Sequence, residues 1–540
     1  MKKFTCLSLM LAGAAAVSAQ GVADIMQYAN TDIVGTARYM GMAGAFNALG
    51  GDISTLSQNP AGIGIYRSSE VVVTAELGGV ETQSQIGSNS YRTTGTDITK
   101  SKFNIGANNL GYVGTFFTGN RDGLISFNVG FAYNRQAYQK RRYGVAQNNM
   151  RNGVSDYIAD LTNQWGGSSS DLSLPSSGSS NSYDPYYDSS APWLSILGYN
   201  AYVINPKSGS SNSYLGLYAN DGNMLIDGEL AVSESRRIDE YTFNVGGNVS
   251  NLVYWGLGIG VSDITQTQRI TYDEYYYTSS SSDYQNFRLN NYLKTTGTGV
   301  NAKFGLIVRP APQFRFGMAI HTPTWYQMSD NYGAEMQSYN VEELNGQNTG
   351  FIYTPNDVWD YKLRTPWKFQ FGAAYIIGRS GLISFDYEHC DYSYMHLSSD
   401  DGYYNTYSAT NADIKNQLQG VNTFRVGGEF RLAPELSVRL GYANVSSAFT
   451  EAVRDNNSMI YTSGTVPNYV IDRGSQYFTG GLGFRQGSFF ADAAFVWKTN
   501  RQDAYLLPAV WDSSSVIVES VRSRLFTHTY KFLFTFGYKF

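Results

Sequence analysis

The side chains able to do chemistry are few and scattered. The 540-residue chain has four histidines, His321, His389, His396 and His528. None falls in the HExxH spacing that sets two imidazoles on one helix face beside a carboxylate. His389 and His396 lack the close spacing of a zinc-ligand pair. Beyond residue 6 the chain has one cysteine, Cys390, and a single thiol makes neither a CxxC pair nor an intramolecular disulfide. There is no Gly-x-Ser-x-Gly elbow and no phosphate-cradling Walker loop. Asp386 and Glu388 are two residues apart, which on a strand sets both carboxylates on one face. Lysines and arginines share that face, so ion pairing explains the two acids better than acid–base catalysis. The expectation is no catalytic residue, no metal site, no cofactor and no enzyme.

The distinctive stretch is residues 35–70, GTARYMGMAGAFNALGGDISTLSQNPAGIGIYRSSE. It has no charge run, no sustained helical period and no strand alternation. Asn59-Pro60-Ala61 lies near its centre. Proline fixes φ, lacks an N–H and pushes its predecessor toward extended geometry, so the triplet reads as a rigid turn. Gly41, Gly44, Gly50, Gly51, Gly62 and Gly64 permit tight turns and close backbone approach. The stretch comes directly before the first strand-like segment and reads as a compact plug.

The elements around it are strands. Tyr (43), Phe (29) and Gly (56) are abundant and charged residues make up only 15% of the chain, against about a quarter in soluble domains. Mean hydropathy is −0.29, and no apolar run long enough for a helical membrane span follows the N-terminus. Period-2 alternation starts at Ser69 and recurs to the end in 14 candidate strands. One set, Phe424, Val426, Gly428, Phe430 and Leu432, alternates with Thr423, Arg425, Gly427, Glu429 and Arg431. Connections alternate between short (Ala433-Pro434-Glu435) and long (residues 141–228), as in outer-membrane barrels with short periplasmic turns. The last strand, residues 520–540, alternates aromatics up to a terminal Phe540. A soluble protein with so long and apolar an edge would aggregate. The fold class expected is all-β: a 14-stranded antiparallel transmembrane β-barrel with an N-terminal hatch in its lumen.

The domain reading is residues 1–19 signal peptide, 20–68 hatch and 69–540 barrel. Lys2-Lys3, an apolar stretch and Val17-Ser18-Ala19 carry the first of these. Residues 141–228 form a long outer loop with a short helix from Val154, Tyr157, Ile158 and Leu161, and residues 166–182 read as a mobile Ser/Gly segment. A net charge of −5 gives no basic footprint for nucleic acid.

On residues 35–70, with Asn59-Pro60-Ala61 at their centre, the chain resembles the FadL/TodX family of outer-membrane transporters of hydrophobic compounds, in the version found in Bacteroidetes. The resemblance implies a 14-stranded barrel whose N-terminal hatch plugs the lumen. It implies passive diffusion of long-chain fatty acid-like or aromatic molecules through an apolar pocket, with sideways exit through the wall. By the same resemblance Asn59, Pro60, Ala61 and Gly62 form the hatch turn. Met40, Met42, Phe46 and Leu49 are the plug-side candidates for the ligand pocket. Partners are then a hydrophobic small molecule and outer-membrane lipid, with the chain acting as a monomer in a Gram-negative outer membrane. Two alternatives stay open: a protein-binding platform in secretion, and an open porin with Glu76, Lys303, Arg425, Glu429 and Arg439 lining water.

Overall fold

The computed structural model describes residues 21–86, 93–175, 183–217, 224–277, 285–339, 350–400, 407–456, 460, 462, 464–512 and 515–540. The leader read at residues 1–19 lies outside them.

Strand alternation becomes a closed antiparallel barrel. Its strands are β1 (Glu70–Ile86), β2 (Ile98–Phe117), β3 (Leu124–Met150), β4 (Leu225–Val249), β5 (Val253–Tyr277) and β6 (Gln285–Val308). Next come β7 (Phe314–His321 and Trp325–Tyr339), β8 (Asp357–Arg364 and Lys368–Ile377) and β9 (Gly381–Asp391, continued by His396–Ser399). The last are β10 (Gly420–Arg431), β11 (Leu436–Val445), β12 (Tyr469–Gln486), β13 (Phe489–Tyr505) and β14 (Arg522–Lys539). Pro323 and Pro366 divide β7 and β8, because proline removes a ladder donor. Each strand pairs with its sequence neighbour, and β14 returns to β1 from Glu70↔Lys539 to Ile86↔Ser523. The β14–β1 ladder closes the ring.

Facing sets a membrane band. Along β5 the outward residues Val253, Trp255, Leu257, Ile259 and Val261 are apolar, and from Asp263 upward they are polar or charged. On β14 the outward set is Phe532, Phe534, Phe536, Tyr538 and Phe540, all at least 40% exposed. A strand of about 9–11 residues crosses a bilayer, so the upper half of β5 stands clear of it.

The upper strand ends carry a folded cap. β3 runs to Met150 rather than ending near residue 140, because Tyr143 and Val145 keep pairing with Val232 and Leu230 and pack into a core. Beyond it lie α4 (Val154–Trp165), α5 (Ser169–Leu172), α6 (Pro185–Asp188) and α7 (Trp193–Asn200). Their buried Ile158, Trp193, Ile196 and Leu197, with Tyr214 of the short strand Tyr214–Gly216, join Tyr272, Tyr276, Phe287 and Met336 from the strand tops. The segment expected to be mobile thus contributes α5 and the buried Leu172; residues 176–182 lie outside the described set.

One carboxylate docks the cap. Glu274, thirteen residues above the outward Val261, accepts from Val154 N (2.6 Å) and Ser155 N (3.3 Å) at the start of α4. The Tyr272 and Tyr276 hydroxyls also donate to it. Burial is the largest influence and pushes the Glu274 carboxyl up to about 7, against the pull of these donors. The folded chain then holds this proton more tightly than the unfolded one. Its contribution is fully present below the ordinary carboxylate range and is lost as pH rises through about 7. Limited proteolysis of residues 150–217 should accelerate from pH 5 to pH 8, and Glu274→Gln should flatten that rise. Equal rates at both pH values in the unaltered chain would contradict it.

Candidate functional site

The lumen is filled by residues 21–66. They form α1 (Val22–Ala29), an extended run 30–36, α2 (Ala37–Gly41), tight turns, α3 (Thr55–Gln58) and a 3-10 turn (Pro60–Ile65). Asn59 ties the centre together. Its Oδ1 accepts from Ala61 N at 3.0 Å and its Nδ2 donates to Asn47 O at 2.7 Å. Pro60 opens the 3-10 turn, where no N–H is needed. Gly62 has no room for a side chain, since a Cβ there would meet Thr55 and the Gly50 Cα. Gly50 itself sits at φ +60, which favours glycine.

The wall makes room for this backbone with glycines that face inward. A Cβ at Gly305 would strike Asn59, one at Gly256 the Pro60 carbonyl, and one at Gly317 the Asn47 carbonyl. Gly427 and Gly441 stand against Met42, and Gly111 against Ile53. The plug backbone therefore lies directly on the wall.

Charges fix it further. Arg38 of the plug pairs with Glu429 (2.9 Å), which also holds Arg439 (2.6 Å), itself bound to Asp492 (2.5 Å). Asp386 accepts from Asn47 N (2.8 Å) and Gln58 Nε2 (3.1 Å), so it binds plug rather than water. Glu388 pairs with Arg425 (2.8 Å), Lys303 with Glu240 (2.6 Å) and Lys531 with Glu76 (3.2 Å). The five lumen charges weighed for an open porin are all engaged in ion pairs. Buried pairs of this kind are weak evidence for stability, but they leave none of those five charges free to line a water channel.

Two cavities flank the extended run of the plug. The lower, about 140 Å3, is polar and is lined by Ser57, Gln58, Lys303, His321, Lys368 and Arg425 among others. The upper, about 160 Å3, mixes Met26, Ile33, Met40, Tyr138, Tyr143, Phe449 and Tyr469 with the charged Asp24, Asp32, Arg141, Glu234, Arg236, Asp472, Lys498 and Lys531. Of the four plug-side residues singled out from the sequence, Met40 lines the upper cavity. Met42, Phe46 and Leu49 pack with Ala374, Ala443 and Tyr477 in a plug-to-wall cluster. Cys390 is buried at the lower cavity with its thiol beside Tyr392. His321 binds Gln58 O at 2.7 Å and His389 binds Asn422 at 2.9 Å. Among the described residues no three His, Cys, Asp or Glu side chains are placed to hold a metal.

Among the described residues β2 and β3 part at a seam that the sequence reading did not locate. β2 and β3 pair only from Phe117↔Ser126 to Asn109↔Asn134. Above that, among the described residues, the two strands share no ladder, although β1 still pairs with β2 up to Ser84↔Ile98. Thr94–Thr96 pairs with Ala146–Asn148 and closes the seam at its top. The cause is local. Asn108 is an extra residue in β2 between partners of Thr74 and Ala75, and Gln136 is an extra residue in β3 between partners of Asp239 and Ile238. A bulge bends its strand and strengthens its twist. Two bulges facing each other part the strands.

The plug touches both lips. Asn108 Nδ2 donates to Gly35 O at 2.8 Å, and Asp32 N donates to Gln136 O at 2.9 Å. Asp32 is held from behind by Lys498 (2.5 Å). Arg135 stands at the seam, bound to Asp239 (3.1 Å) and stacked over Tyr138 at 4.7 Å. Tyr138 lines the upper cavity as well. Outside, Phe103 and Ile105, each 65% exposed, carry the apolar band along the β2 lip.

No family model and no curated protein matches the chain. Solved structures do. The Pseudomonas putida toluene transporter TodX superposes with TM-score 0.50 at 9% identity, covering 94% of this chain and 99% of that one. A Pseudomonas aeruginosa FadL homologue gives TM-score 0.49 at 12% identity, covering 95% and 100%. The TodX likeness extends over nearly the whole barrel and shows a shared fold.

Proposed function

We propose that the chain is a transporter in the outer membrane of a Gram-negative cell that passes small hydrophobic molecules, single-ring aromatics foremost, by passive diffusion. The ligand enters beneath the cap, occupies the upper cavity and leaves sideways between β2 and β3. The observation that carries this is the seam: among the described residues β2 and β3 share no ladder above Asn109↔Asn134 until Thr94–Thr96, the exposed Phe103 and Ile105 lie on its β2 lip, and Tyr138 is shared between seam and cavity. Straight passage downward is disfavoured. The surface of the lower cavity is mostly polar and that of the upper mostly apolar, so an apolar ligand in the lower one would strip water from more polar groups.

Size favours one ring over a long acyl chain. The upper cavity of about 160 Å3 is close to the roughly 150 Å3 apolar cavity that accepts benzene. Sharing a fold with a structure described as a toluene transporter agrees with this class. Radiolabelled toluene should be retained saturably by the purified protein and radiolabelled oleate should not. Saturable oleate with no toluene would reverse the ligand class, and neither would remove the transport reading.

A second reading, a docking platform for a secreted protein, draws on exposed aromatics of the cap rim, Tyr187, Phe351 and Tyr353. It requires a partner that co-purifies from native membranes and is lost on Phe351→Ser/Tyr353→Ser.

A further inference from the structure

Two inward arginines meet at the end of the lumen opposite the cap. Along β6 and just past it the inward residues are Lys303, Gly305, Ile307 and Arg309, and on β7 they are Arg315, Gly317 and Ala319. The ladder pairs Phe316 with Val308, and the same register one step further sets Arg315 opposite Arg309. Side chains opposite each other on one face have Cβ atoms about 4.5–5.5 Å apart, and like charges there repel. On its other side Arg315 pairs with the buried, inward Ala374. Both arginines are half-buried.

The plug adds a third. Ile65, the last residue of its 3-10 turn, packs with Ala61, Tyr254 and Ile307, so the exposed Arg67 leaves the lumen beside the end of β6. Arg315 Nη1 donates to the plug carbonyl of Leu49 at 2.8 Å, and its Nε is buried without a hydrogen-bond partner. Arg309, Arg38 and Arg67 all act on Arg315 by charge. Arg38 is held by Glu429 at 2.9 Å. Among the described residues Arg67, Arg309 and Arg315 pair with no carboxylate.

Elsewhere in the lumen arginines are matched to acids, as Arg141 is to Glu234, Arg425 to Glu388 and Arg439 to Glu429. Three guanidinium groups at a junction of plug and wall, with no acid among them, repel one another, and an anion between them reverses the sign. A guanidinium fork matches two oxygens of a phosphate at once, which a lysine ammonium does not.

We propose that Arg309, Arg315 and Arg67 form a binding site for a phosphate-type oxyanion, which ties the plug to the β6–β7 turn. Free phosphate and a phospholipid headgroup reaching the mouth present the same chemistry. The site goes beyond the passage of hydrophobic molecules and does not depend on it.

The test uses the full mature chain in a maltoside detergent, stripped of lipid and phosphate. Binding of radiolabelled inorganic phosphate is followed by equilibrium dialysis, and hydrogen exchange is read at residues 49–51 and 62–67. Phosphate should bind saturably, a single ion per chain, and slow exchange in both segments. Arg309→Gln/Arg315→Gln should weaken binding about tenfold or more, as expected when charge-assisted hydrogen bonds are lost. Arg67→Gln, at an exposed position that folding tolerates, should weaken it as well. Arg309→Lys/Arg315→Lys should keep only part of the affinity. Arg431→Gln/Arg485→Gln, inward arginines of other strands at the same mouth, should bind as the unaltered chain does. Without phosphate Arg309→Gln should melt no lower than the unaltered chain, and with phosphate it should melt lower. The absence of saturable binding, or full affinity in Arg309→Gln/Arg315→Gln, would overturn the proposal. So would an equal loss in Arg431→Gln/Arg485→Gln, which would show a diffuse positive mouth, or a melting difference that phosphate does not change. Nanodiscs of rising phosphatidylglycerol content separate the sources. Competition with radiolabelled phosphate assigns the site to the headgroup, and its absence assigns the site to free phosphate; both keep the oxyanion site. Toluene retention is read on the same samples, and a chain that binds phosphate but holds no toluene keeps this inference and loses the transport reading.

Discussion

Deleting residues 21–66 should turn a closed barrel into one that conducts ions in planar bilayers, from no resolved steps to stable single-channel steps. The reason is what the deletion uncovers. The inward glycines Gly256, Gly305, Gly317, Gly427 and Gly441 present no side chains, so the wall around the vacated space is bare backbone. The charges released from the plug face the same space. Asp386 loses Asn47 and Gln58, and Glu429 loses Arg38. Desolvating such groups without partners costs several kcal/mol each, so water enters rather than the wall collapsing. An unchanged, silent bilayer from a barrel that folds by heat-modifiable gel mobility would contradict the plug. A milder variant guards against misfolding. Asn59→Ala strands Asn47 O and Ala61 N, at about 1–3 kcal/mol for a buried group left unsatisfied. Hydrogen exchange at residues 44–62 should then speed up by about tenfold or more, since about 1.4 kcal/mol is a factor of 10, while the barrel strands keep their protection.

Deleting Asn108 and Gln136 together should close the side exit. Each is the extra residue of a bulge, and without it the neighbours alternate regularly: Ala107 outward and Asn109 inward on β2, Arg135 outward and Ala137 inward on β3. Both strands then run straight, and their ladder can continue above Asn109↔Asn134. Register and facing elsewhere are untouched, because a one-residue slip is undone at the bulge itself. Toluene uptake by cells should fall to a tenth or less, while toluene retention by the purified protein stays within about twofold. Undiminished uptake would show that the ligand takes another route. Loss of retention as well would place the seam residues in the binding site rather than in the exit.

Legibility in the sequence followed the strength of the local pattern. The barrel strands were readable because lipid on one side and a filled lumen on the other force a period of two. The alternation of short and long connections supplied their phase. Residues 35–70 stood out because a segment packed against backbone must be rich in Gly and Ala. The seam was not readable. Its cause is one surplus residue in each of two strands, Asn108 in NIGANNLGY and Gln136 in AYNRQAY, and a single insertion leaves composition unchanged. Its one trace is the paired Asn108-Asn109, both inward and buried. The wall glycines left a clearer trace, as Gly427 falls on the register of Arg425 and Glu429. That trace points to close approach only once the plug is known to lie there. The cap was misjudged because its Ser- and Tyr-rich composition resembles a solvated loop. Trp193, Leu194, Ile196 and Leu197 supply its core from one helix of eight residues, too short for periodicity to signal.

The central claim is that a hydrophobic ligand rests in the upper cavity and leaves between β2 and β3. Crystals soaked in iodobenzene and measured for anomalous scattering test it most directly. The iodine should appear among Met40, Tyr138 and Tyr143, with a weaker site outside the seam beside Phe103 and Ile105. Iodine confined to the polar cavity around Lys303 and Arg425, or spread evenly over the apolar band with none inside the wall, would contradict it.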